Sequence, residues 1–245
     1  MLKNIKKEQN LLYLCFINMY RSPILWLYLL FSWMHNPLIA QFNFQIGYQF
    51  SYADFTAING AVDYYNVTTP GLTKKLGKLT SMNAISLGVR QGLGIVSVIG
   101  SWTNQIDRLH SVGPQAGSSN PSFNREFFFK NQIYSLGIES LSGNFGLGAC
   151  IDLRLLSIKN RDTGSDLKRT ILFDSKPGST FYIFFDLPVS PRMGLVLKLS
   201  YGFPWNSFGL RKFSDFLTPG FSVGSEPFRQ MGLSLIFSNG RQPRY

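Results

Sequence analysis

Few side chains in this 245-residue chain stand at spacings that could do chemistry. Beyond the first 40 residues there is one histidine, His110, followed directly by Ser111, and one cysteine, Cys150. An adjacent His–Ser pair in a loop is not the arrangement in which a base addresses a nucleophile, so His110 is expected to be a solvated loop residue. One His and one Cys far apart give no structural zinc site, and no metal or cofactor is expected. The string Gly71–Lys78 (GLTKKLGK) looks like a phosphate loop, but it has one residue too many between its glycines and carries Leu79 where Ser or Thr is needed. Gly88–Gly94 (GVRQGLG) reads as a strand entering a hairpin, and the sequon Asn66-Val67-Thr68 carries little meaning here. What remains is a charge constellation: Arg90, Arg154 and Lys198 against Glu139, Asp152 and Asp186, each on the polar side of an alternating segment.

Those segments are strands. Phe42, Phe44, Ile46, Tyr48 and Phe50 share one face while Asn43, Gln45, Gly47, Gln49 and Ser51 share the other. The same alternation recurs over 85–90, 134–139, 145–155, 180–187, 195–202 and 231–238, and less regularly over 95–103, making eight strands. Gln91–Gly94, Ser142–Asn144 and Pro188–Arg192 are short turns, whereas the other four connections run about 20 to 30 residues, far above the hairpin norm. Short and long connections therefore alternate. All the long ones fall at one end, as in outer-membrane barrels.

The N-terminus adds an export signal. Ile24–Met34 is an uncharged apolar run preceded by Arg21 and followed by a small residue, Ala40, at a plausible cleavage point. Residues 1–40 are thus expected to be a signal peptide, with Met19 as an alternative start and an uncleaved anchor as the competing reading; residues 41–245 form the barrel. Cys15 leaves with the leader, so the mature chain cannot close an internal disulfide.

Signal, eight strands, three short turns and four long connections together resemble the small eight-stranded outer-membrane barrels of the OmpA and OmpX type, over essentially the whole mature chain. The resemblance implies an all-β, up-and-down antiparallel transmembrane barrel with short periplasmic turns, four long extracellular loops and a periplasmic N-terminus. One departure concerns the last strand. Such barrels often end on an aromatic residue, but here eight residues, SNGRQPRY, follow Phe237, leaving Phe237 or Tyr245 to serve. Some barrels of this size are lipid A acyltransferases or deacylases, and the adjacent His110–Ser111 pair does not have their spacing on a strand face.

Residue types decide which face is outward. A lipocalin-like barrel would turn the Phe and Leu rows inward and leave a water-facing surface of Gly, Ser, Asn and Gln with too few charges. With the apolar rows in lipid, Arg90, Glu139, Asp152, Arg154, Asp186 and Lys198 face an interior only wide enough for side chains to fill. Isolated charge there would cost several kcal/mol, so an ion-pair network closing the lumen is expected; a narrow gated ion path is the competing reading.

The loops carry the rest. Phe55, Ile58, Val62 and Tyr65 fall at helical spacing, giving a short amphipathic helix that caps the mouth or lies on the outer leaflet. The second loop, 104–130, ends in Phe127-Phe128-Phe129, suited to re-entry at the interface. The third, 158–178, holds five basic and three acidic residues, read as solvated or in contact with lipopolysaccharide. Trp205, Phe208, Phe213, Phe216 and Phe221 in the fourth are expected to form an interaction surface buried against loops, lipid or a partner.

Composition agrees with this reading. Charged residues are 15% against the usual ~25%, and aromatics are also 15%, which excludes a disordered chain or a coiled coil. The formal charge of +11 is scattered, with no basic stripe or nucleic-acid motif, and falls to +8 without the leader. The expected protein is a non-enzymatic outer-membrane barrel acting through its loops as a surface binding or envelope-structural protein, with outer-membrane lipid, lipopolysaccharide and other outer-membrane proteins as partners. An accessory subunit of a secretion or uptake complex is the alternative. A lipid A-modifying enzyme is the third.

Overall fold

A computed structural model of the chain describes residues 42–93, 95–113, 123–163, 167–190 and 193–239. The expected leader over 1–40, with Met19 and Cys15, and Tyr245 lie outside the described residues. Eight strands form the barrel wall: β1 (Phe42–Ala53), β2 (Ser81–Leu93), β3 (Val96–Val112), β4 (Asn124–Ser142), β5 (Phe145–Asp162), β6 (Arg169–Ser190), β7 (Met193–Pro204) and, last in the chain, β10 (Gln230–Asn239). Each pairs antiparallel with its neighbours in the order β1-β10-β7-β6-β5-β4-β3-β2, closing the barrel. Closure leaves no unpaired edge. All eight expected strands are present.

Two of the four long connections are mostly strand rather than loop. β3 continues to Val112 and β4 begins at Asn124, while β5 reaches Asp162 and β6 begins at Arg169. The strands outlast the alternation because its polarity inverts above the barrel. Below, most inward positions are polar or glycine and most outward ones apolar. Above, Leu109, Phe127, Phe129, Leu156, Ile158 and Leu172 are buried on the inner side, and Arg108, Lys130 and Lys159 take the outer side. A register shift between Ile158 and Lys159 changes the phase of β6 once more.

The remaining long connections fold over the mouth. After β1 comes helix α1 (Thr56–Thr68), and after β7 a short hairpin of β8 (Phe208–Gly209) and β9 (Ser225–Glu226) encloses helix α2 (Arg211–Leu217). Ile58, Ala61, Val62 and Tyr65 of α1 are buried, together with the preceding Phe55. They join Phe208, Leu210, Phe213, Leu217 and Phe228 and the inner faces of the extended strands in one apolar core. The barrel therefore carries a cap with a core of its own.

Turn geometry is local. Gly143 adopts φ +64° in the β4–β5 turn, a conformation an L side chain resists. Phe228 is the one described non-glycine residue with positive φ, at 49°. Its ring is clamped edge-on by Phe55 at 5.0 Å and Phe208 at 5.8 Å, which holds the backbone in that conformation.

Candidate functional site

Strand alternation sends the six charged strand residues inward. Arg90 of β2 pairs with Glu139 of β4 across β3, both side chains almost wholly buried. The Arg90 guanidinium also lies 5.4 Å from the Phe184 ring centre, and Tyr182 Oη donates to Glu139 Oε2 at 3.1 Å. Arg154 and Asp152, two residues apart on the same face of β5, pair at 2.9 Å, and Arg154 has no exposed surface. Asp152 further accepts from Ser135 Oγ at 2.7 Å and Thr180 Oγ1 at 2.6 Å. Lys198 Nζ sits 4.7 Å from the Tyr182 ring centre. Asp186 faces the lumen near the β4–β5 turn, and its backbone N–H donates to Asn144 O at 2.7 Å.

Around these charges the interior is filled in layers. Ile99, Cys150, Tyr182, Phe184, Val196 and Ile236 form an apolar cluster low in the barrel. Gly146 and Gly148 of β5 stand opposite Phe184 and Tyr182 of β6, and the two rings occupy the space a Cβ would need. The large aromatics of β6 fit because the neighbouring strand carries no side chains beside them. Higher up, Gln49 Nε2 and Gln105 Nε2 donate to Ser51 Oγ at 2.8 and 3.0 Å, and Asn131 Nδ2 donates to Gln105 Oε1 at 2.6 Å. Above that layer lies the apolar core of the cap.

The aromatics of the fourth connection divide. Phe208 and Phe213 are fully buried and pack edge-on against Phe228 and against Phe127 and Phe129, so they belong to the cap core and not to an interaction surface. Their burial follows from the inward apolar face that β3–β6 present above the barrel. Phe216 is half-buried, with Arg125 and Arg169 near its ring at 5.5 and 6.0 Å. Phe221, also half-buried, stacks on Tyr64 at 4.1 Å. Trp205 alone of the five is open, at 55% exposure, with Nε1 donating to Ser179 Oγ at 2.9 Å.

Three features of the cap have no local sequence signal. Helix α1 lacks a side-chain cap of its own, and Glu226 of β9 supplies one by accepting from Ala57 N at 2.8 Å and Ile58 N at 3.1 Å. Burial pushes the Glu226 carboxyl above its ordinary 4.5, against the lowering effect of those two bonds. Asn59 and Asn66, two helical turns apart, each exchange two hydrogen bonds with the backbone of the returning chain, at Leu79 and Leu76. The sequon asparagine is thereby engaged within the fold. Arg125, buried beneath the cap, pairs with Asp162 at 3.1 Å and lies 5.9 Å from the Tyr65 ring centre.

His110 and Ser111 lie on β3 rather than in a loop. Their side chains take opposite faces, with Ser111 turned inward and buried. Inner Asp107 is raised above its ordinary value by burial. Among the described residues no group of three His, Cys, Asp or Glu side chains is placed to hold a metal ion.

No protein-family profile matches the sequence, and no curated protein matches it. Solved structures do. The chain is similar to Ail, the attachment invasion locus protein of Yersinia pestis, in complex with the heparin analogue sucrose octasulfate (TM-score 0.45, 13% identity, 82% of this chain and 97% of that chain). It is similar to Neisserial surface protein A (TM-score 0.39, 12% identity, 82% and 99%). A third is the N-terminal β-barrel domain of OprF from Pseudomonas aeruginosa (TM-score 0.33, 11% identity, 81% and 98%). The chain is a closed, eight-stranded antiparallel barrel, and its own strand pairing carries that assignment.

Proposed function

We propose that the chain is an integral outer-membrane barrel with a closed lumen, exported by its leader and acting through its cap. One observation carries this reading. A strand tilted about 40° climbs roughly 2.5 Å per residue along the barrel axis, so a belt ~25 Å tall takes about ten residues. From Phe42 to Tyr52, Val96 to Ile106, Phe145 to Leu155, Pro177 to Leu187 and Met193 to Phe203, and over β2, β10 and residues 132–142 of β4, no outward described side chain is charged. Phe44 and Leu136 are 60% and 66% exposed in this belt, whereas Arg90, Asp152 and Arg154 are buried. Water would leave this distribution unfavourable on both faces; hydrocarbon outside makes it favourable.

The short turns then face the periplasm, and the cap faces outward in a lipopolysaccharide-bearing leaflet. The packed interior layers favour a surface binding or envelope-structural protein over a channel. Leakage of ions across planar bilayers should stay at the lipid background. Orientation is tested by cysteine labelling of intact cells, with an impermeant maleimide, at Val67→Cys on α1, where Val67 is 81% exposed, and at Ser142→Cys in the β4–β5 turn. Labelling at 67 but not at 142 supports the reading. The reverse pattern overturns it.

A further inference from the structure

The outer wall of β3, β4 and β5 changes character at the top of the apolar belt. Ile106 on β3 and Leu155 on β5 are the last outward apolar residues of the belt on their strands, and the next outward charged positions are Arg108, Lys130, Lys159 and Arg161. Register sets them side by side: Ile106 opposite Lys130, Arg108 opposite Phe128 and Phe128 opposite Lys159, with Glu126 opposite Arg161. Lys168, just before β6, reaches the same face and places Nζ 3.9 Å from the Phe128 ring centre. The guanidinium groups of Arg108 and Arg161 lie 5.4 and 5.5 Å from that ring. Three cations therefore converge on one outward aromatic.

Among the described residues one anion, Glu126, pairs with them. Glu126 is nearly buried between Arg108 and Arg161, accepting from Arg161 Nε at 2.8 Å and pairing with Arg108 on its other oxygen. It fixes the two guanidinium groups in place and neutralises one charge of the cluster, leaving Lys130, Lys159 and Lys168 without a carboxylate partner among the described residues. Like charges gathered this closely repel unless an anion sits among them. The outward faces of β1, β2 and β7 themselves end without such a group. The height of the cluster, immediately above the last apolar row, is that of the lipid headgroups.

The geometry points to a binding site for a phosphate-bearing lipid headgroup of the outer leaflet, held by Arg108, Lys130, Lys159, Arg161 and Lys168 around Phe128, with the acyl chains lying on the apolar wall below. This site rests on the membrane reading above, and the test separates the two. The full chain and the variant Lys130→Gln/Lys159→Gln/Lys168→Gln, which leaves the Glu126 pairings intact, are mixed with phosphatidylcholine vesicles with and without lipid A, and bound lipid is read by native mass spectrometry after flotation. The site predicts that both proteins float and that the variant retains lipid A about tenfold less well or worse, at roughly a fewfold per lysine. Inorganic phosphate at equal concentration should not displace the lipid. Equal retention by both proteins, or equal retention of phosphatidylcholine, overturns the site while leaving the barrel in the membrane. Displacement by inorganic phosphate overturns the lipid as the source of the anion. Failure of the full chain to float overturns the membrane reading itself, and the site with it.

Discussion

Glu226 Oε2 accepts a hydrogen bond from the backbone N–H of Ala57 at 2.8 Å, across 169 residues of sequence. The contact ties the connection after β7 to the first turn of α1, where a carboxylate also meets the positive end of the helix. Replacing Glu226 with Ala leaves two N–H groups in the cap core without an acceptor. The expected cost to the cap is about 1–2 kcal/mol. Faster amide exchange throughout α1, with unchanged heat-modified gel mobility of the barrel, is the outcome to look for.

The same carboxyl sets a pH dependence. Its folded value lies above 4.5, so the folded cap holds this proton more tightly than the unfolded chain does. This group's contribution therefore improves as pH falls from neutral through the folded value, and levels off below 4.5. Cap melting followed by near-ultraviolet circular dichroism should show that gain. Glu226→Gln should flatten it.

In the lumen, Arg154 and Asp152 depend on each other. Arg154→Met leaves a buried carboxylate with only the Ser135 and Thr180 hydroxyls. Loss of one partner should cost about 3–5 kcal/mol, and the double variant with Asp152→Asn should recover part of it. The temperature at which the barrel loses its compact gel mobility measures both. A shift of the double variant equal to the sum of the shifts of Arg154→Met and Asp152→Asn alone would show that the pair is not coupled.

Space in the lumen is tested by its glycines. Gly146→Ala puts a methyl where the Phe184 ring lies, which should destabilise the barrel by about 1–3 kcal/mol. Adding Phe184→Leu should return some of that stability, measured in the same gel assay. No recovery would mean that the ring is not what fills the space.

Much of this architecture was legible in the residues. Apolar side chains on one face and packed polar groups on the other impose strict alternation, so Phe42–Ser51 and its counterparts declare themselves as strands. The inward setting of Arg90, Glu139, Asp152, Arg154, Asp186 and Lys198 follows from parity alone. Above the belt that logic inverts, which hid the upper halves of β3 to β6 and made Phe127 and Phe129 look like interface residues when they are core. Phe208 and Phe213 show the same confusion. An aromatic-rich connection signals burial, but whether its cover is a partner or another loop depends on contacts distant in sequence. The cluster around Phe128 needed the full length of β4 before its parity could be read.

Trp102 offers the most direct test of the central claim, that the outward face meets hydrocarbon. It lies on the outer side of β3, between Leu87 and Tyr134, and with the leader removed Trp205→Phe leaves it as the lone tryptophan of residues 41–245. In vesicles of phospholipid brominated along the acyl chains, its fluorescence should be blue-shifted and strongly quenched, with little quenching by aqueous iodide. Quenching by iodide without quenching by brominated lipid would contradict the account.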